Sequence, residues 1–155
     1  MNVLIVICAK YLFVLAPLLF AFVFAAQPQA RRSLLIRGVL ALVIAVVLAK
    51  IGGALYEEPR PFVVRHVAPL IPHEPDNGFP SDHTLVCAVC AFLILPLSRP
   101  LAIAAGVVTL TVGAARIAAL IHSPLDILAS ISFAAIAAFA AYEIERKFFA
   151  KSEAF

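Results

Sequence analysis

Charge is what this chain has least of. Only 14% of its 155 residues are Asp, Glu, Lys or Arg, and the formal net charge is +3. That small, scattered excess makes no basic stripe of the kind a polyphosphate backbone requires, so nucleic acid is excluded as a partner. Cysteine is sparse too. Cys8, Cys87 and Cys90 all lie inside apolar runs, which argues against a disulfide framework and against a zinc site. Cys87-Ala88-Val89-Cys90 has the C-x-x-C spacing but neither a βαβ context nor a second pair, and no redox role is read from it. There is no internal repeat, no low-complexity tail and no polar stretch long enough for a separate soluble domain.

What is there is apolar. Hydrophobic residues make up 64% of the chain and the mean hydropathy is +1.06, where a soluble domain carries roughly 45–50% apolar residues. The chain reads as an integral membrane protein with length for about five crossings at roughly 20 residues each. The predicted fold is all-α: one polytopic bundle over 1–155, with spans at about 2–26, 34–56, 82–98, 101–120 and 125–145. Ala25-Ala26-Gln27 has the look of a cleavage site, but no basic segment precedes the first apolar run, which is therefore read as a retained span. Lys10, the one charge in that run, is expected to snorkel to the interface. The alanines of the last two spans permit close helix packing.

Residues 57–83 form the one long polar connection, and a loop of that length in a small bundle signals function. Alternating the spans puts Arg31, Arg32, Arg37, Arg99, Arg146, Lys147 and Lys151 on one side, which the positive-inside rule makes cytoplasmic together with the C-terminus. The 57–83 loop and the turn at 121–124 then share the external side. Arg60, Ser81, His83, Arg116, His122 and Asp126 thereby collect at one membrane face.

The residue types suit phosphate. Guanidinium forks match phosphoryl oxygens, and a helix beginning at Ser81 or Asp82 would offer free N–H groups and a positive dipole end. Arg116 lies within a span, where a permanent cation makes sense opposite an anion, although a structural ion pair with Asp126 is an alternative. His122 and Asp126 are four residues apart across Pro124, a residue suited to a helix's first turn. That spacing lets the carboxylate hold one imidazole nitrogen and leave the other as a nucleophile. His83 is a second imidazole, suited to protonating a leaving oxygen. His66, His73, Glu74 and Asp76 are read as solvated loop residues in preference to a metal-binding or pyrophosphate-associated cluster. Glu57 and Glu58 are read equally as partners of Arg60 or Arg65 and as groups that take part in the chemistry.

Arg60-Pro61, then Pro80-Ser81-Asp82-His83, then Arg116 with His122 and Asp126 resemble the three-part signature of the type 2 phosphatidic acid phosphatase (PAP2) superfamily. The fuller run Tyr56–Val63, with Leu70-Ile71-Pro72-His73 and Phe79–Thr84, resembles the BcrC-type undecaprenyl pyrophosphate phosphatases more narrowly. The resemblance implies a metal-independent, cofactor-free lipid phosphatase working through a phosphohistidine, with a polyprenyl pyrophosphate substrate and membrane lipids as its surroundings; the alternatives are a phosphatidate, phosphatidylglycerophosphate or other prenyl phosphate substrate, a lipid phosphotransferase, and a non-catalytic anion- or lipid-binding module. It gives His122 the attack, Asp126 its orientation and His83 the leaving-group proton. Arg60, Ser81, Arg116 and Lys50 would hold phosphoryl oxygens, and Asp82 would contribute mainly through its backbone. The chain departs from the superfamily pattern in two places. Nine residues separate Lys50 from Arg60, more than the pattern has, and Ala115 stands where a serine commonly precedes the arginine.

Overall fold

The computed structural model describes residues 2–149; Lys151, counted above among the cytoplasmic charges, lies outside them. The described residues form helices α1 (Asn2–Lys10), α2 (Leu15–Ala26), α3 (Arg31–Leu55), α4 (Pro61–Val64), α5 (Asp82–Ile94), α6 (Arg99–Ala118) and α7 (Pro124–Phe148). No strand is present among them. Four helical stretches are long and apolar enough to cross a membrane: Asn2–Ala26, Pro28–Leu55, Arg99–Ala118 and Pro124–Phe148. Their flanks carry exposed Leu4, Phe22, Val47, Ile103, Leu128 and Phe139, an outer surface suited to lipid rather than water.

Beside these four stretches, α5 is a shorter apolar helix. At 13 residues α5 rises about 20 Å, against a hydrocarbon thickness of about 30 Å. Eight of its residues, from Thr84 to Ile94, are buried, because α2, α3, α6 and α7 all pack around it. The expected third span of 82–98 is therefore trimmed at its end. Pro96 cannot donate to the preceding turn, and the chain turns through residues 95–97 before α6 begins.

The first span keeps its predicted bounds of 2–26 but is built from two α-helical pieces. Residues Leu12–Val14 form a 3₁₀ turn between α1 and α2, and the break frees carbonyls at the end of α1. The α3–α7 seam rests on Ala41, Ala45, Ala134, Ala137 and Ala141, all fully buried, so the two 25-residue helices approach closely. At the α6–α7 crossing a Cβ on Gly113 would lie 2.7 Å from Ile127 Cγ2, so only glycine fits. Away from the site, Arg37 reaches Glu145 Oε2 through Nε at 3.1 Å and Nη2 at 2.9 Å. Its guanidinium also lies over the Tyr142 ring. This pair pins the start of α3 to the end of α7.

Candidate active site

The α6–α7 turn builds the centre of the site. Ile121 N closes on Arg116 O at 3.2 Å, and Leu120 takes the left-handed conformation at φ 62°. That conformation costs a branched residue roughly 1–2 kcal/mol. The turn recovers contacts for it: Leu120 O accepts from Phe62 N at 3.0 Å, and Ile121 O accepts from Arg60 Nη1 at 2.7 Å. Both donors come from the 57–83 connection, so the turn fixes the Arg60-Pro61 segment. Ser123 caps α7 in a reciprocal capping box: Asp126 N donates to Ser123 Oγ at 3.3 Å, and Ser123 N donates to Asp126 Oδ2 at 2.8 Å. Pro124 holds the first helical position, as expected.

That box delivers the carboxylate to His122. Asp126 is fully buried, and its Oδ2 lies 3.1 Å from His122 Nδ1. On the other side of the ring, His122 Nε2 is 3.1 Å from Arg116 Nη2. A carboxylate accepts and a guanidinium donates, so the tautomer follows from the partners: Nδ1 carries the proton and Nε2 carries the lone pair. Burial, helped by Arg116, lowers the His122 pKa from its ordinary value, against the opposing hydrogen bond from Asp126. The ring is held neutral with its lone pair at Nε2.

Arg116 does not pair with Asp126. Its Nη1 donates to Ala9 O at 3.0 Å, one of the carbonyls released where α1 ends. Phe13, in the 3₁₀ turn, packs edge-on against the His83 ring with centroids 4.4 Å apart. The break in the first span thus holds two site residues at once. Arg116 Nε and Asp126 Oδ1 are buried without a hydrogen-bond partner.

Arg60 is the second guanidinium. Its Nε donates to Asp76 Oδ1 at 2.7 Å, and this bond holds the Asp76 carboxyl below the usual carboxylate range. Glu58 does not pair with Arg60; it accepts from Tyr56 OH at 2.5 Å. The loop is seated by Asn77, whose Oδ1 accepts from Glu58 N (3.0 Å) and Phe79 N (2.9 Å). Asn77 Nδ2 donates to Gly53 O and Tyr56 O, both at 2.9 Å. Next to it, a Cβ on Gly78 would meet Asp126 Oδ2 at 3.2 Å and Glu58 O at 3.3 Å. A side chain there would crowd the carboxylate by a few tenths of an ångström.

These groups enclose a polar cavity of about 420 Å³, with Lys50, Arg60, Asp82, His83, Arg116 and His122 in its wall. Seven of the eight predicted site residues are thereby brought together: these six, with Asp126 behind His122. Lys50 reaches the wall despite its altered spacing, whereas Lys10 and Arg65 do not. Ser81 is the exception. It occupies the N-cap position of α5, but its buried hydroxyl makes no cap bond and meets Thr84 Oγ1 at 3.1 Å. Ser81 N and O instead join α5 to α7, through Asp126 O at 3.5 Å and Ser130 Oγ at 2.9 Å. Of the loop residues read as solvated, His73 and Asp76 border the cavity; Asp76 stays exposed while bonded to Arg60, and His73 is partly buried.

Asn77, Ser123 and Ser130 were not foreseen. Ser123-Pro124-Leu125-Asp126 is legible as a capping box and Asn77-Gly78 as a turn; Ser130 leaves no local signal. Among the described residues, no group of three His, Cys, Asp or Glu side chains is placed to hold a metal ion.

From Ala49, Lys50 and Asp82 the cavity opens into a groove of about 260 Å³ between α3 and α5, walled by Leu42, Val46, Leu85 and Val86. Through Leu42, Val86 and Val89 this meets a second apolar groove of about 320 Å³, which Phe20, Leu35 and Gly38 help to line.

The chain is 33% identical over 130 residues to the bacitracin transport permease protein BcrC of Bacillus licheniformis, covering 83% of this chain and 64% of that protein. It is 34% identical over 111 residues to the undecaprenyl-diphosphatase BcrC of Bacillus subtilis (strain 168), covering 72% and 57%. The chain thus spans about three-fifths of the length of these relatives. In fold it is similar to the crystal structure of a transmembrane PAP2 type phosphatidylglycerolphosphate phosphatase from Bacillus subtilis. The TM-score is 0.61 and the identity 22%, over 95% of this chain and 77% of that one. The profile of the PAP2 superfamily matches residues 34–150, and the chain belongs to that superfamily.

Proposed function

We propose that this protein is a metal-independent lipid pyrophosphate phosphatase that converts undecaprenyl pyrophosphate to undecaprenyl phosphate and phosphate. The observation that carries the reading is the His122 ring, with Nδ1 on Asp126 and Nε2 on Arg116, each at 3.1 Å. Anion binding alone needs the guanidinium groups; it does not need an imidazole whose tautomer is set and whose second nitrogen keeps its lone pair. Nucleophilic catalysis needs both.

The mechanism follows from the donors. The terminal phosphate enters between Arg116 and Arg60, and Arg116 Nη2 leaves Nε2 for a phosphoryl oxygen. Nε2 then attacks phosphorus while the bond to the bridging oxygen breaks. The positive charge developing on the ring is balanced by Asp126 across the Nδ1–H bond. His83, at the cavity wall, donates the proton to the departing lipid phosphate. Arg60, Arg116 and Lys50 neutralise the phosphoryl oxygens, the main requirement of phosphoryl transfer. Ser81 serves through its backbone, and Asp82 borders the passage to the groove. The two connected grooves suit an isoprenoid tail. They follow α3 from Lys50 towards Leu34, about 24 Å along the helix.

We place the site on the external face of the plasma membrane and the end of α7 in the cytoplasm. Arg31, Arg37, Arg99 and Arg146 stand at the helix ends away from the site, which the positive-inside rule makes cytoplasmic. That orientation fits recycling of a lipid carrier for cell-wall synthesis.

The test is phosphate release by detergent-purified protein from undecaprenyl pyrophosphate with EDTA present, beside phosphatidate and phosphatidylglycerolphosphate. Release that persists in EDTA and disappears in His122→Ala is the expected result. Preference for one of the other lipids would move the substrate and keep the mechanism. Turnover by folded His122→Ala would sink the mechanism.

A further inference from the structure

Three imidazoles border the cavity, and the reaction above employs two. The third, His73, sits on the outer loop, three residues before the Asp76 that holds Arg60. Its Nδ1 is 2.9 Å from Pro72 O. A carbonyl can only accept, so Nδ1 carries the hydrogen and Nε2 is left with its lone pair. The ring is partly buried in a wall shared with Arg60, Arg116 and His122. Its loop is not free to wander, because Asp76 is tied to Arg60, Asn77 makes four hydrogen bonds and Gly78 rests on Asp126.

We propose that His73 is a further catalytic residue of this site: the base that takes a proton from water when the phosphohistidine is hydrolysed. The inference rests on the phosphohistidine reading above. In this step the water oxygen bonds to phosphorus, the phosphorus–Nε2 bond of His122 breaks and its electron pair returns to the ring. The water proton passes to His73 Nε2, and inorganic phosphate is released.

Electrostatics suits the timing. Burial, then Arg60 and Arg116, lower the His73 pKa from its ordinary value, while Asp76 and the Pro72 bond oppose this. The base is thus neutral before substrate arrives. A phosphoryl group on His122 neutralises those two guanidinium groups, which raises the basicity of His73 when water must be activated. His83 keeps its one duty, protonating the leaving lipid phosphate.

The test resolves the two half-reactions by rapid quench with terminally labelled undecaprenyl pyrophosphate. The wild type serves as reference, with His73→Ala and His73→Gln as variants and thermal melts confirming that both are folded. Both variants should release about one undecaprenyl phosphate per protein at the wild-type rate, then turn over about 10²- to 10⁴-fold more slowly. Acid-labile, alkali-stable phosphoprotein should accumulate, and added imidazole should restore turnover in His73→Ala. Turnover unchanged in both variants, or a slowed first turnover without phosphoprotein, would overturn the assignment and leave the phosphatase reading standing. A wild type that forms no phosphohistidine would remove both.

Discussion

Replacing Asp126 by Asn separates two roles that a carboxylate usually mixes. Asp126 Oδ2 receives two donors, Ser123 N at 2.8 Å and His122 Nδ1 at 3.1 Å, while Oδ1 is buried without a partner. The Ser123 amide cannot turn away, because it belongs to the cap of α7. In Asp126→Asn the amide oxygen therefore takes the Oδ2 position, and the NH₂ goes where Oδ1 was. His122 keeps its tautomer and its Nε2 lone pair, and only the negative charge is lost. That charge faces a ring which becomes positive as Nε2 bonds to phosphorus. At about 4 Å and an effective dielectric near 20, the attraction is about 4 kcal/mol. Part of this survives as a neutral hydrogen bond of about 0.5–1.5 kcal/mol, so the expected slowing is about 10²- to 10³-fold. The unpartnered NH₂ should also cost about 1–3 kcal/mol of stability. Asp126→Ala loses the charge, the tautomer control and the cap together, and it should be slower again by at least tenfold. The assay is phosphate release and phosphohistidine trapping on detergent-purified variants of matched helicity. Asn equal to Ala, or Asn within tenfold of the wild type, would refute the division.

Three further outcomes follow from the same geometry. Gly78→Ala puts a methyl group 3.2 Å from Asp126 Oδ2 and 3.3 Å from Glu58 O; it should cost about 1–3 kcal/mol by overpacking and lower kcat, and a wild-type melt with wild-type kcat would contradict the close approach. The His122 pKa is lowered by burial, and the ring attacks only when neutral, so activity is present above that pKa and lost as pH falls through it. The acid limb of kcat/KM attributable to His122 should then lie below about 6.5, the ordinary histidine value, and a limb above that value would count against it. Gly38→Leu narrows the apolar groove; it should raise KM for undecaprenyl pyrophosphate while leaving a short prenyl pyrophosphate unaffected, and equal effects on both would place the tail elsewhere.

Much of this site was legible before the fold, for an identifiable reason. His122 and Asp126 are neighbours by helical spacing across a proline that starts α7, so their contact is a local property. The gathering of Arg60, His83 and Arg116 at one face needed only the count of crossings, since α5 and α6 form a hairpin and α7 returns at once. What stayed hidden is tertiary. The interruption of the first span is only faintly marked, by Lys10 at the end of α1 and Pro17 in the first turn of α2. Its purpose depends on Ala9 O and Phe13 meeting Arg116 and His83, more than 60 residues away in sequence. His73 and Asp76 looked like any polar loop, because loop composition is the same whether the loop faces solvent or folds over a cavity. Ser81 misled in the opposite direction. Its place in the motif points to a phosphate ligand, while its main-chain bonds to Asp126 and Ser130 use it to lock α5 against α7.

The shortness of α5 ties these parts together. A helix of about 20 Å in a layer of about 30 Å leaves its N-terminus well inside the bundle if its far end meets the opposite surface. The residues at that N-terminus, Asp82 and His83, then sit below the level where α3 and α7 end. A recessed site raises the cost of every charge in it, since cations and carboxylates at membrane depth must be paired or solvated. The chain meets that cost with neighbours that are themselves fixed: Arg116 on the freed carbonyl of Ala9, Arg60 on Ile121 O and Asp76, Asp126 in the cap of α7. Recession has a functional return. A lipid lying in the bilayer presents its pyrophosphate near the surface and its tail below, and the cavity joins the α3–α5 groove at Lys50 and Asp82. With α5 a full crossing in length, that junction would be raised out of reach of the groove, and the site would keep its charges but lose lateral access. Lengthening α5 by one turn before Asp82 should therefore abolish hydrolysis of long-chain lipids even where the fold survives, a result that activity towards a water-soluble pyrophosphate would separate from simple misfolding.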